Sequence, residues 1–275
     1  MRNAVFAGKF YPKEARLLTD FFIRYLALNS DTFLDHKYIN ALIVPHAGYQ
    51  FSGKICANAF KYLSNSSYKS IVILGPSHQY AFTGASIDCQ ASYETPLGSI
   101  SVDRDLCNLL LGSSDLLHFD EKAHIFEHSI EVLCPFISYL FQDKVDIVPI
   151  IIGDTHLDTI FAVVNALTAV CKPEDTLIIA SSDFSHFFSA NVAESMDLCA
   201  IKLIESFDFD SLYHCNQLGD IQMCGISPIM VLGHLMKAWS ITDMKSCGYT
   251  HSGTVSGDLS SVVGYYSSVF YSDYV

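Results

Sequence analysis

Buried strands and amphipathic helices alternate along most of the chain. After Pro12, which suits the first turn of a helix, residues 13–26 carry apolar side chains at helical spacing. Residues 38–45 read as a buried strand, and 52–63 as a helix because Ile55, Ala59, Phe60 and Leu63 recur every three or four positions. Residues 70–74 read as a second buried strand. Strand, helix, strand in this order is a βαβ unit, which favours a parallel sheet with a right-handed crossover and opens both following loops on one sheet edge. Residues 85–102, with a turn at Pro96-Leu97-Gly98, are expected to form a β-excursion. Helices are expected over 103–111 and 127–140, the second with an apolar stripe of Ile130, Leu133, Cys134 and Ile137. The alternation continues with a strand at 146–152, a helix at 157–170, a strand at 176–180 and a long helix at 190–206. Ser227 is read as the N-cap of another helix with Pro228 at its first position, and residues 261–271, rich in β-branched and aromatic side chains, as a final strand. The fold class is therefore α/β, a central mostly parallel or mixed sheet flanked by helices. No linker, low-complexity tract or repeat interrupts it, so residues 1–275 are expected to form a single domain.

Composition narrows the function classes. Half of the 275 residues are apolar and 16% are charged, enough apolar material for a large core and too much for disorder. The formal charge of −13, with no Lys/Arg cluster, predicts neither a nucleic-acid nor a membrane partner. The amino terminus has no apolar signal-peptide core and no run reaches membrane-spanning length, which predicts a soluble cytoplasmic protein. Nine cysteines without a Cys-x-x-Cys pair suggest neither a disulfide framework nor a zinc ribbon, and most are expected as small core hydrophobes.

Candidate chemistry gathers where hydrophobic runs end. His46 follows the strand at 38–45, His78 follows the strand at 70–74, Asp183 and His186 follow the strand at 176–180, and Cys224 precedes the helix at 227. Ligands of open α/β sheets bind outside the carboxyl ends of the strands, so one shared site is expected. Imidazole and thiolate suit iron, copper or zinc, whereas magnesium and calcium prefer oxygen shells. Gly48 beside His46 and Gly75-Pro76 before His78 shape close-approach loops, although ordinary turn chemistry gives the same local pattern. Asp183, three residues before His186, is placed to orient its imidazole for proton transfer, or else to cap a helix. Glu127, His128 and Glu131 recur at helical spacing and read either as a solvated face or as residues that supply a ligand, support one or form an acid/base pair. Tyr49 reads as a hydrogen-bond donor into the cavity or as a core aromatic. Met223 beside Cys224 invites copper, but adjacent side chains point apart.

Together, Ala7-Gly8-Lys9-Phe10-Tyr11-Pro12, Pro45-His46-Ala47-Gly48-Tyr49, Leu74-Gly75-Pro76-Ser77-His78, Glu127-His128-Ser129-Ile130-Glu131, Ser181-Ser182-Asp183-Phe184-Ser185-His186 and Cys224-Gly225 resemble the Memo-like family, also known as the B component of the AmmeMemoRadiSam system. The resemblance implies a fold similar to class III non-haem iron extradiol dioxygenases. It implies His46, His78 and Cys224 as metal ligands, Cys224 standing where the dioxygenases use a carboxylate, with Asp183 and His186 as neighbouring pocket residues; from the residues themselves, Asp183 and His186 are the catalytic candidates and Tyr49, Glu127, His128 and Glu131 the candidates for the pocket or for support behind the ligands. The expected cofactor is iron(II), with copper or zinc as alternatives. The expected activity is metal-dependent redox chemistry; an extradiol-type ring cleavage, or a binding module for a peptide or small anion, is the alternative. A small-molecule or peptide substrate and a pathway link to a radical-SAM protein with its small companion domain also follow from the resemblance. This chain lacks the cysteine triplet of a radical-SAM component.

Overall fold

The computed structural model describes residues 1–26, 34, 37–64 and 66–273. Its strands are β1 (Lys37–Val44), β2 (Ser70–Pro76), β3 (Ala85–Ile87), β4 (Ser92–Thr95), β5 (Gly98–Ser101), β6 (Leu117–His118), β7 (Asp146–Ile152), β8 (Thr176–Ser181), β9 (His186–Phe188), β10 (Asp243–His251) and β11 (Val262–Asp273). The main sheet runs β10-β11-β1-β8-β2-β7-β3-β6, with β9 pairing to β11, while β4 and β5 form a separate hairpin. β1, β8, β2 and β7 are mutually parallel. β11 runs antiparallel to β1 and β10, and β3 antiparallel to β7.

The parallel centre follows from composition. Every residue of β2 is buried, as is all of β7 after Asp146, because helices cover strands of this kind on both faces. Lys54–Phe60 packs on β11, β10 and β1, Ile226–Ala238 on β8 and β2, and Ala190–Glu205 on β11 and β10. Register then fixes the site: Val44 pairs with Ser181, and Leu74 with Ala180, so β1, β8 and β2 finish at one sheet edge. No helix among the described residues is long and apolar enough to cross a membrane.

Several elements depart from the sequence reading. The helix at 52–63 opens earlier, with a wide π-type turn over Tyr49–Gly53, and closes as a 3-10 turn over Lys61–Leu63. The single helix at 127–140 is two, His128–Glu131 and Cys134–Phe141, the second restarting with Pro135 in its first turn. Gly225, not Ser227, caps the helix Ile226–Ala238; the Ser227 hydroxyl donates to the Asp154 carbonyl at 2.8 Å instead. Helix Phe209–Leu218 and strand β10 had no counterpart in the reading. The helix buries only Phe209 and Leu212, and β10 has no fully buried residue, so neither leaves an apolar period to detect. All nine cysteines are free, but only Cys56, Cys107, Cys134 and Cys171 are buried, fewer than expected.

Candidate metal centre

Three imidazoles meet beyond the carboxyl ends of the parallel strands. His46 lies two residues past β1 and His78 two past β2, while His128 opens a short helix. One ligand nitrogen from each lies within 4.8 Å of the other two. Ring centroids are 5.1 Å apart for His46 and His78, 5.3 Å for His46 and His128, and 4.5 Å for His78 and His128. His46 is buried, whereas the His78 and His128 side chains are 28% and 18% exposed, so the cluster has a solvent-facing side.

Hydrogen bonds behind the rings decide which nitrogens are free. The Ser181 hydroxyl donates its only proton to the Ser129 carbonyl at 2.6 Å, so it accepts from His46 Nδ1–H at 2.7 Å. That leaves the lone pair of His46 on Nε2. The Glu127 carboxylate accepts from His78 Nδ1 at 2.9 Å and from His78 N–H at 2.6 Å, and His128 Nδ1 stands 3.3 Å away from the same carboxylate. A carboxylate behind a histidine fixes the tautomer and aims the other ring nitrogen, as second partners do at metal sites. Glu127 also caps its own helix, accepting from Ser129 N–H.

Burial keeps His46 and His128 neutral without a cation. Burial, then repulsion from His78, holds His46 well below the usual imidazole range. Burial, then His46 and His78, brings His128 down to about 3. For Glu127, burial alone acts upward, but hydrogen bonds from His78 and Ser129 bring the carboxyl down to about 2, so it is ionised. Three imidazole nitrogen donors backed by a carboxylate fit a first-row transition metal by the chemistry of the donor set.

Cys224 and Asp183 border the cluster on the His46 side. Cys224 Sγ is 3.3 Å from His46 Nε2, and accepts from Asp183 N–H at 3.3 Å. The thiol lies outside the group of three whose donor atoms are all mutually close. Burial and the Asp183 charge push its pKa up, so it is protonated without a cation. Asp183 Oδ1 accepts from the His46 backbone N–H at 2.9 Å, while His186 N–H donates to Gln222 Oε1 at 2.8 Å. Burial raises the Asp183 carboxyl; it lowers the His186 imidazole, against the pull of Asp183. Gly225 lets the Cys224 loop close over β8: a Cβ there would stand 2.4 Å from the Ser181 carbonyl oxygen and 2.5 Å from Ser182 Cβ. Gly225→Ala is therefore expected to cost about 1–3 kcal/mol in urea unfolding, and an unchanged midpoint would show that the loop can yield.

The structure also places three further candidates. His128, read as a ligand or as support for one, sits in the imidazole cluster itself. Glu131 does not share its face with Glu127; its carboxylate accepts from Arg2 Nη1, Phe6 N–H and Tyr11 Oη, on the side away from His78. Tyr49 is a core aromatic: its hydroxyl donates to the Val132 carbonyl and its ring packs on Tyr11, Phe21 and Phe136. Ser181, which fixes the His46 tautomer, was absent from the candidates; its place in the motif before Asp183 was the available signal. A cavity of about 1290 Å³ is lined by Tyr11, Tyr49 and Phe10, the last of which packs on His128 at 4.8 Å.

Comparison with known proteins gives a consistent family. A family model described as Memo-like protein matches residues 2–269. The MEMO1 family protein of Methanobrevibacter smithii is 34% identical, with 98% of this chain and 99% of the relative covered. That of Thermoplasma volcanium is 32% identical, with 98% of each covered. Among solved structures, an uncharacterized protein from Escherichia coli K12 superposes with a TM-score of 0.45 at 14% identity, covering 82% of this chain and 99% of that one.

Proposed function

The chain belongs to the Memo-like protein family, and from that membership and the cluster geometry we propose that it is a mononuclear metal protein with a redox function. The observation that carries the reading is the meeting of His46, His78 and His128 within 4.8 Å, with Glu127 behind two of them. These three imidazoles would hold the metal, and Cys224, beside His46 Nε2, would be a fourth, softer donor. Iron is favoured, with copper next, because mixed nitrogen and sulfur donors suit both. Bound iron or copper would supply Lewis acidity and one-electron chemistry.

The remaining residues act on protons and position. Ser181 holds His46 by its Nδ1, and Asp183 holds the same residue by its backbone N–H, so the loop after β1 is fixed at two points. Burial raises the Asp183 carboxyl and lowers the His186 imidazole, which brings the two proton affinities closer. His186 would take a proton from a substrate at its ring nitrogen, and Asp183 would stabilise the imidazolium that results.

Protein purified without oxygen is expected to carry one iron or copper ion per chain and to change oxidation state reversibly with dithionite and ferricyanide. A site that takes only zinc, with no redox response, would refute the redox function and leave metal binding standing. Cys224→Ser is expected to keep the metal stoichiometry and weaken affinity by about tenfold. Complete loss of metal in that variant would instead make sulfur a primary ligand.

A further inference from the structure

We infer that the amino-terminal arm is the device that positions the histidine cluster, with Arg2 as its positioning residue. The inference rests on the metal-binding reading above. Arg2 is buried, and its guanidinium serves three acceptors on one short stretch. Nε donates to the His124 carbonyl at 2.8 Å, Nη2 to the Glu127 carbonyl at 2.7 Å and Nη1 to Glu131 Oε2 at 2.6 Å. That stretch is two short helical pieces, Glu121–Ile125 and His128–Glu131, so no continuous helix fixes the turn between them. Glu127 sits in the turn: Arg2 holds its carbonyl while its carboxylate holds His78 and stands beside His128.

The rest of the arm reinforces the clamp from both sides. Phe6 N–H and Tyr11 Oη donate to Glu131 Oε1, at 2.8 and 2.7 Å. The Phe6 and Phe10 rings lie 5.7 and 4.8 Å from the His128 ring and form a wall behind it. The Phe10 carbonyl accepts from Tyr49 N–H at 2.7 Å, tying the arm to the turn that follows His46. One segment therefore spans the loops that carry His46 and His128. A planar guanidinium can hold three acceptors in fixed directions, which an ammonium cannot.

Removing Arg2 alone would strand the buried Glu131 charge, so the test pairs Arg2→Met with Glu131→Gln. Cobalt(II) serves as the probe, read by its dissociation constant and visible absorption, and hydrogen exchange is followed on the metal-free protein. The double variant is expected to weaken cobalt binding about tenfold and to speed exchange at the amides of residues 127–131. Ile204→Ala, on a distant helix, is the control for general destabilisation and is expected to keep the wild-type cobalt constant. Unchanged cobalt binding together with unchanged exchange in the double variant would overturn the inference, as would an equal loss of cobalt affinity in the control. A wild-type protein that binds no cobalt would overturn the metal-binding reading instead, and exchange at residues 127–131 would then decide the arm by itself.

Discussion

Replacing His128 by alanine is expected to lower metal affinity at least roughly a hundredfold, or about 2.7 kcal/mol, while leaving a folded protein. The prediction separates two ligand sets. In the first, His46, His78 and Cys224 hold the cation and His128 only supports them; in the second, the three imidazoles are equivalent. The structure places a nitrogen of His128 within 4.8 Å of both other donors, and Glu127 behind His128 as well as behind His78. His128→Ala should therefore exceed Cys224→Ser in effect by a clear margin. A ligand that binds only the folded protein at a hundredfold excess over its Kd stabilises it by about 2.7 kcal/mol, a rise of roughly 5–10 °C in Tm for a chain of this size. That increment should vanish in His128→Ala, by calorimetry with and without metal. A variant that keeps the full increment would return His128 to a supporting place.

Metal-free protein is expected to lose about 3 kcal/mol of stability between pH 6.5 and pH 4 through His124 alone. Burial brings this imidazole down to about 4, in spite of Asp88. Its Nε2 shares a hydrogen bond with the Ser86 hydroxyl at 3.0 Å, and Tyr93 Oη is 3.4 Å from Nδ1. The sign follows from proton binding. Within this window the unfolded chain protonates the residue and the folded chain does not, so acid favours unfolding. Above about 6.5 both states are neutral, and below about 4 both are charged, so the slope is confined to the interval between them. His124→Gln, which keeps a polar partner for Ser86, should flatten the slope in urea titrations of chelator-treated protein. Parallel curves for the variant and the wild type would show that His124 is already charged in the folded state.

The sequence disclosed the strands better than the site. β2 and β7 are uninterrupted apolar runs, which only a doubly covered sheet accommodates, and both were legible at nearly their true limits. His46 and His78 were legible because each follows such a run. The place of His128 was hidden by the apolar stripe of Ile130, Leu133 and Ile137, which suggests one long helix with Glu127 and Glu131 on a common face. The chain in fact starts that helix at His128 with Glu127 as its cap, and breaks it before Cys134. Glu127 thus faces the histidines while Glu131 faces Arg2, a split no helical period encodes. Arg2 was illegible, and Ser181 carried no signal beyond its place in a motif, for a different reason: they act through partners more than fifty residues away, and such contacts exist only once the sheet is assembled.

Diffraction from crystals soaked anaerobically with iron(II), collected above and below the iron edge, tests the three-imidazole centre most directly. The account predicts a single anomalous peak within about 2.0–2.3 Å of one nitrogen from each of His46, His78 and His128. A peak bound by other residues, or none at saturating iron, would contradict it.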